Sequence, residues 1–158
     1  MQKLPLILAL VFFAAFSFAQ KKKTIKKLGI KTITFTEITG KTTIKDNKST
    51  YDINGQQVEE VKYDKEGKFK SLTKFKYNRD GDVTEETEYN EAGKLTEKRT
   101  MKYDALGEKT EELVLDKDGK QIKKITYLYN SKGLRTEKKT FDAKNTLIST
   151  KKITYTFK

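Results

Sequence analysis

The chain has 158 residues and a formal net charge of +12, and hydrophobic and charged residues each make up 35% of it. So low an apolar content cannot fill a thick core, which favours a thin β-sheet over a sandwich. Because the sequence contains neither histidine nor cysteine, it excludes disulfides, the usual zinc ligands and the common catalytic pairs built on those residues.

The first 19 residues have the pattern of a secretory signal peptide. Lys3 precedes an uncharged apolar stretch, residues 4–18, and the small residues Ser17 and Ala19 mark a cleavage site. This stretch is shorter than the roughly 20 apolar residues that span a bilayer. We therefore expect cleavage near Ala19, no transmembrane segment in the mature chain, and export to the periplasm or the extracellular space.

Residues 20–28 are predicted to form a basic N-terminal tail. Its lysines are the candidate polyanion contacts: Lys21, Lys22, Lys23, Lys26 and Lys27. Such a charge suits contact with anionic lipid, surface polysaccharide or nucleic acid. It equally suits a solvated segment that guards a sheet edge against aggregation. Both interpretations stay open, and no helix is expected after residue 20.

Residues 29–158 are predicted to form a single β-repeat domain. Its opening part, residues 29–50, alternates apolar and polar residues and is expected to contain two strands. Residues 46–48 add an extra turn or a bulge to this degenerate repeat.

Regular repeats follow from 51 to 145. A tyrosine, leucine or phenylalanine precedes Asp or Asn, and a glycine, or Asn145 in the last turn, follows three residues later at intervals alternating between 12 and 14. The Asp or Asn side chain accepts backbone hydrogen bonds, and the glycine adopts a left-handed conformation. Each 26-residue unit thus predicts two strands and two turns, with structural turn residues Gly55, Gly67, Gly81, Gly93, Gly107, Gly119 and Gly133.

The predicted fold is all-β, an antiparallel up-and-down meander of about ten strands in a single curled sheet or an open barrel. Because both intervals are even and side chains alternate with period two, all turn aromatics should share one face. Such a face should be buried by curling or in a homodimer. The candidate ligand-facing residues on it are Tyr77, Tyr89, Tyr103, Tyr129, Glu85, Glu97 and Glu111.

Two segments, residues 77–84 and 89–96, resemble the tyrosine-aspartate (YD) repeats of Rhs and teneurin-like proteins. The resemblance covers residues 51–145, although these turns recur at shorter spacing and the chain is too short for that family's large shell. It implies a curled β-meander scaffold on the cell exterior, with no chemistry of its own.

No catalytic, metal-binding or cofactor-binding residues are predicted, since turns such as residues 78–82 lack the closing glutamate of a calcium loop. We expect a noncatalytic exported scaffold or binding protein whose partner is a polyanion, a surface polysaccharide or another envelope protein. An alternative is a structural envelope or assembly component that packs through its aromatic face. A remote alternative is a small secreted hydrolase that uses Glu85 and Glu97 as paired carboxylates.

Overall fold

The computed structural model describes residues 17–40 and 42–157. Most of the predicted signal peptide therefore lies outside the described residues. The helix and the strands have the bounds α1 (Ser17–Leu28), β1 (Thr32–Thr39), β2 (Thr42–Tyr51), β3 (Gln57–Tyr63), β4 (Phe69–Tyr77), β5 (Val83–Tyr89), β6 (Leu95–Tyr103), β7 (Lys109–Asp116), β8 (Gln121–Tyr129), β9 (Arg135–Asp142) and β10 (Leu147–Lys152).

The ten strands form one antiparallel sheet in which each strand pairs with the next along the chain. The sheet is open, with β1 and β10 as its two edges. The all-β meander of ten strands is therefore confirmed, in the form of a single sheet that does not close. The predicted irregularity near residue 46 is a bulge, since Phe35 pairs with Asn47 and the next residue, Thr36, pairs with Lys45.

The turns have the local chemistry that the sequence predicts. In residues 52–56, the Asp52 side chain accepts backbone hydrogen bonds from Asn54 at 2.9 Å and Gln56 at 2.8 Å. The backbone N–H of Gly55 donates to the Asp52 carbonyl at 3.0 Å, and its φ is +75°. The other predicted turn glycines also have positive φ, and so does Asn145 in the last turn.

The expectation of one shared aromatic face is wrong, because each regular turn is accompanied by a register shift. Lys76 pairs with Glu85, but the next residue, Tyr77, pairs with Val83. A bulge of one residue reverses the odd and even positions between neighbouring strands. We call the face that contains most buried side chains the core face; its members include Tyr51, Tyr77, Met101, Tyr103, Val114, Ile125, Tyr127 and Tyr129.

The opposite face, here the ladder face, contains Tyr89, Leu113 and Leu115 together with alternating Lys and Glu. Cross-strand pairs of opposite charge are present there, as the sequence predicts. Their acidic members are Glu85 and Glu111, rather than the even-numbered glutamates of the same strands.

The expectation that no helix follows residue 20 is also wrong. Helix α1 extends to Leu28 and ends at Gly29, where the Ile30 N–H donates to the Ile25 carbonyl at 3.0 Å. This C-terminal cap and the burial of Ile25, which is 3% exposed, stabilise a helix whose lysine content suggests a tail. Within the described residues, α1 has neither the length nor the apolar character needed to cross a bilayer.

A glycine allows α1 to lie against the sheet. A Cβ atom at Gly55 would stand 2.5 Å from the Lys22 carbonyl oxygen and 3.0 Å from the Lys26 backbone nitrogen. Any larger residue would therefore collide with the helix backbone. The turn of residues 52–56 thus serves both to reverse the chain and to seat α1.

Candidate functional site

Helix α1 and two turns enclose a basic cleft of about 540 Å³, here called the α1 cleft. The turns of residues 52–56 and 78–82 are one 26-residue repeat apart, so they lie at the same end of the sheet. Four cations and three side-chain amides line the cleft, and its described lining contains no carboxylate: Lys22, Lys23, Lys26, Arg79, Asn54, Gln56, Asn78 and Gly81.

Three of the five predicted polyanion contacts therefore lie together. Lys27 is exposed and does not line the cleft, and the Lys21 side chain lies outside the described residues. Sequence reasoning missed Arg79, although the repeat period gave a signal, since it places Arg79 beside the turn that seats α1. The Lys22 ammonium lies over the second turn, where a Cβ at Gly81 would be 2.8 Å from its Nζ.

A second pocket of about 590 Å³, here the aromatic pocket, adjoins the α1 cleft. The two share Lys22, Gln56 and Gly81. The remaining lining residues combine apolar walls with polar groups: Tyr51, Gly55, Gln57, Glu60, Phe75, Tyr77 and Val83. An apolar pocket with a few placed polar groups is the usual form of a small-molecule site.

The tyrosines of this pocket differ in their hydrogen bonds. Tyr77 donates to the Gln57 carbonyl at 2.7 Å. Burial, with a smaller contribution from Asp52, raises the pKa of Tyr77 to about 12, so its hydroxyl stays protonated at neutral pH. The Tyr51 hydroxyl is buried and has no hydrogen-bond partner among the described residues.

A separate polar cluster lies at the centre of the core face. Glu112 accepts hydrogen bonds from Lys109 at 2.9 Å, Tyr127 at 3.1 Å and Arg99 at 3.4 Å. Burial acts to raise the pKa of Glu112, but these three partners outweigh it and lower the pKa. The neighbouring Glu86 has a raised pKa, chiefly because of burial. With its cations already paired, this cluster is suited to holding strands together rather than to binding.

The predicted carboxylate pair is not brought together. Glu85 pairs with Thr100 across the strands, whereas Glu97 pairs with Glu88, so the two carboxylates lie on opposite faces of the sheet. Glu85 contacts Lys76 at 2.8 Å and Lys98 at 2.7 Å, and these hydrogen bonds lower its pKa.

The other glutamates of the predicted set are also ion-paired. Glu111 contacts Lys102 at 2.7 Å and Lys124 at 2.9 Å on the ladder face. On the core face, Glu97 contacts Arg99 at 2.6 Å. These glutamates therefore stabilise the sheet by pairing with cations.

The predicted ligand-facing tyrosines are likewise divided between the faces. Tyr77 lines the aromatic pocket, and Tyr103 and Tyr129 share its face farther along the sheet. Tyr89 lies on the ladder face, where the Lys74 ammonium is 5.9 Å from its ring centre. In the part of the chain that the structure describes, no group of three metal-binding side chains occurs.

No family model matches the sequence, and no curated protein matches it. Among solved structures, a porin-like protein from Bacteroides uniformis has 14% identity and a TM-score of 0.46, covering 79% of this chain and 51% of that one. A protein of unknown function from Bacteroides fragilis has 13% identity and a TM-score of 0.43, covering 80% and 95%. TarM has 15% identity and a TM-score of 0.32, covering 80% and 22%. The chain spans about half the length of the first of these structures, and matches at such scores carry no functional information.

Proposed function

We propose that this protein is an exported, noncatalytic β-repeat binding protein of the periplasm or cell surface that holds anionic ligands in the α1 cleft. One observation supports this above the others: Lys22, Lys23, Lys26 and Arg79 line a single cleft with no carboxylate among its described lining residues. Elsewhere lysines and glutamates are often paired, as on the ladder face. Here the cations face solvent-filled space together.

Clustered cations raise the local concentration of anions and attract them over long distances. The amides of Asn54, Gln56 and Asn78 add neutral hydrogen-bonding groups around the same space. The noncatalytic assignment is supported by the separation of Glu85 from Glu97 on opposite faces. The resemblance to YD repeats supports the scaffold role, because the sheet would present the cleft without taking part in chemistry.

The experiment is a titration of duplex DNA, used as a polyanion probe, at several salt concentrations. Each neutralised phosphate adds roughly 0.9 to the logarithmic salt slope. A variant combining Lys22→Gln, Lys23→Gln and Lys26→Gln should therefore bind more weakly and lose up to about 2.7 from that slope. The Gln substitutions keep the helix intact because glutamine is a good helix former.

The matched control removes the same charge at the other end of the sheet, with Lys65→Gln, Lys120→Gln and Lys144→Gln. These exposed lysines belong to the opposite set of turns, so this variant should retain most of the slope. Equal losses in the two variants would assign the binding to net charge alone. They would therefore contradict a site at α1.

A second candidate is the structural role, through an edge of the sheet rather than through an aromatic face. Strand β10 is exposed along its whole length, and its outer backbone groups form an open edge. Leu147 and Ile148 are 51% and 60% exposed there. An apolar open edge is a template for pairing with another strand, which favours assembly with a second copy.

A further inference from the structure

Four tyrosines form a regular series of hydrogen bonds along the sheet. They occur 26 residues apart, and each hydroxyl donates to the carbonyl of the residue 20 positions earlier. The bonds are Tyr77 to Gln57 at 2.7 Å, Tyr103 to Val83 at 2.8 Å, Tyr129 to Lys109 at 3.0 Å, and Tyr155 to Arg135 at 2.9 Å. The repeat thus gives each of these hydroxyls a fixed partner.

Tyr51 occupies the same repeat position and breaks the rule. The equivalent carbonyl belongs to Lys31, which accepts the backbone N–H of Tyr51 at 2.9 Å but not its hydroxyl. In the other repeats this carbonyl follows a β-turn or starts the next strand, whereas Lys31 follows the end of α1. Tyr51 is 8% exposed, and its hydroxyl has no hydrogen-bond partner in the described structure.

A buried hydroxyl without a partner is unusual, and in native proteins it calls for a specific reason. Tyr51 lines the aromatic pocket, where Phe75 and Tyr77 form apolar walls and Glu60 supplies an acceptor. The pocket opens into the basic α1 cleft through Lys22. Ring-binding walls, hydroxyl-binding groups and cations therefore lie in one continuous space.

We propose that the aromatic pocket and the α1 cleft form one site for an acidic sugar. This inference rests on the proposed function, because it names the ligand class of the same cleft. The sugar ring lies against Phe75 and Tyr77, and one of its hydroxyls bonds to the Tyr51 hydroxyl. Its carboxylate lies at Lys22 and Lys26.

The polar groups distinguish a sugar from a simple anion or a nucleotide. A simple anion needs only the lysines, and would leave Tyr51 unpartnered. A nucleobase presents a flat edge with few hydrogen-bonding atoms, whereas a sugar presents several hydroxyls that both donate and accept. Tyr51, Gln57 and Glu60 together offer such mixed groups around an apolar wall.

The test is isothermal titration calorimetry of the full chain with trigalacturonate, the neutral trisaccharide galactotriose, inorganic phosphate and adenosine monophosphate. We expect trigalacturonate to bind most tightly. Tyr51→Phe should weaken it roughly fivefold to tenfold, the worth of one hydrogen bond. Combined Lys22→Gln and Lys26→Gln should weaken it at least about tenfold, because charged hydrogen bonds are stronger.

A matched pair of variants separates binding from stability. Tyr51→Phe removes a hydroxyl that bonds to no described residue, so the melting temperature should not fall. Tyr103→Phe removes the bond to Val83, so the melting temperature should fall while trigalacturonate affinity stays unchanged. An unchanged affinity in Tyr51→Phe, or tighter binding of adenosine monophosphate than of trigalacturonate, would overturn the acidic-sugar site.

The duplex DNA titration, made on the same lysine variants, separates the two proposals. If DNA binding depends on the α1 lysines but Tyr51→Phe leaves trigalacturonate affinity unchanged, the anion cleft survives and the sugar site fails. If DNA binding does not depend on those lysines, both proposals fail.

Discussion

Replacing Gly55 with alanine should release helix α1 from the sheet, whereas the same change at Gly107 should leave α1 in place. The two glycines have similar φ angles, +75° and +79°. A Cβ at Gly55 would stand 2.5 Å from the Lys22 carbonyl oxygen, but a Cβ at Gly107 would meet nothing within 4 Å. The pair therefore separates backbone strain from collision with the helix.

The expected magnitudes follow from these contacts. An alanine in the left-handed region costs about 1–2 kcal/mol at either position. At Gly55 the colliding atoms belong to the helix backbone, so α1 must move and expose Ile25, which is 3% exposed. Burying such a side chain contributes up to about 1.5–3 kcal/mol. The free energy of unfolding should fall by about 1–2 kcal/mol in Gly107→Ala and about 2.5–5 kcal/mol in Gly55→Ala.

Two assays test this difference. Urea denaturation followed by circular dichroism measures the free energy of unfolding of both variants. Brief trypsin digestion under native conditions measures docking directly, because a released α1 exposes its lysines to cleavage. Faster cleavage within α1 is expected only in Gly55→Ala. Equal stability losses with equal cleavage would refute the reasoning, since α1 would then not rest on the turn of residues 52–56.

Two further predictions concern the ladder face and the sheet edge. Lys76 and Lys98 lower the pKa of Glu85 below its ordinary value of 4.5, so its contribution to stability is present above pH 4.5 and is lost as pH falls through the folded pKa. Melting curves from pH 6 to pH 3 should therefore fall less steeply in Glu85→Gln than in the parent; parallel curves would contradict this. At the edge, a variant combining Leu147→Lys and Ile148→Lys should abolish any concentration-dependent increase in mass by light scattering, and a parent that is monomeric at every concentration would contradict assembly through β10.

The turns could be predicted from the sequence because their chemistry is local. Asp52 accepts its hydrogen bonds from residues two and four positions later, and Gly55 donates to a carbonyl three positions earlier. Five consecutive residues therefore contain every group that the turn needs. Ten strands followed from the spacing of such turns.

The distribution of side chains between the faces could not be predicted from that spacing. Even intervals keep parity along the chain, but the bulge at each turn changes which residues face each other across strands. Lys76 therefore lies opposite Glu85, although the next residue, Tyr77, lies opposite Val83. The bulge is a property of pairing between strands and leaves no mark on the repeat period.

Helix α1 was missed for a related reason. Its stability comes from one buried side chain, Ile25, and from contact with Gly55, which is 30 residues farther along the chain. The lysines that were predicted from charge alone gained a specific site only through this contact. Gly55 seats the helix, and the next turn of the repeat then brings Arg79 to the same cleft.

The candidate site lies where the periodicity of the sheet ends. Inside the repeat, each strand has neighbours of the same kind, so each tyrosine at this position finds the same carbonyl and every environment is alike. A binding site needs unlike groups in one place. Because α1 precedes β1 in place of another repeat, Tyr51 loses its usual hydroxyl partner and gains Lys22 as a neighbour in the aromatic pocket. The departure of one repeat from the pattern of the others is thus the feature that gives an otherwise uniform sheet a place to bind.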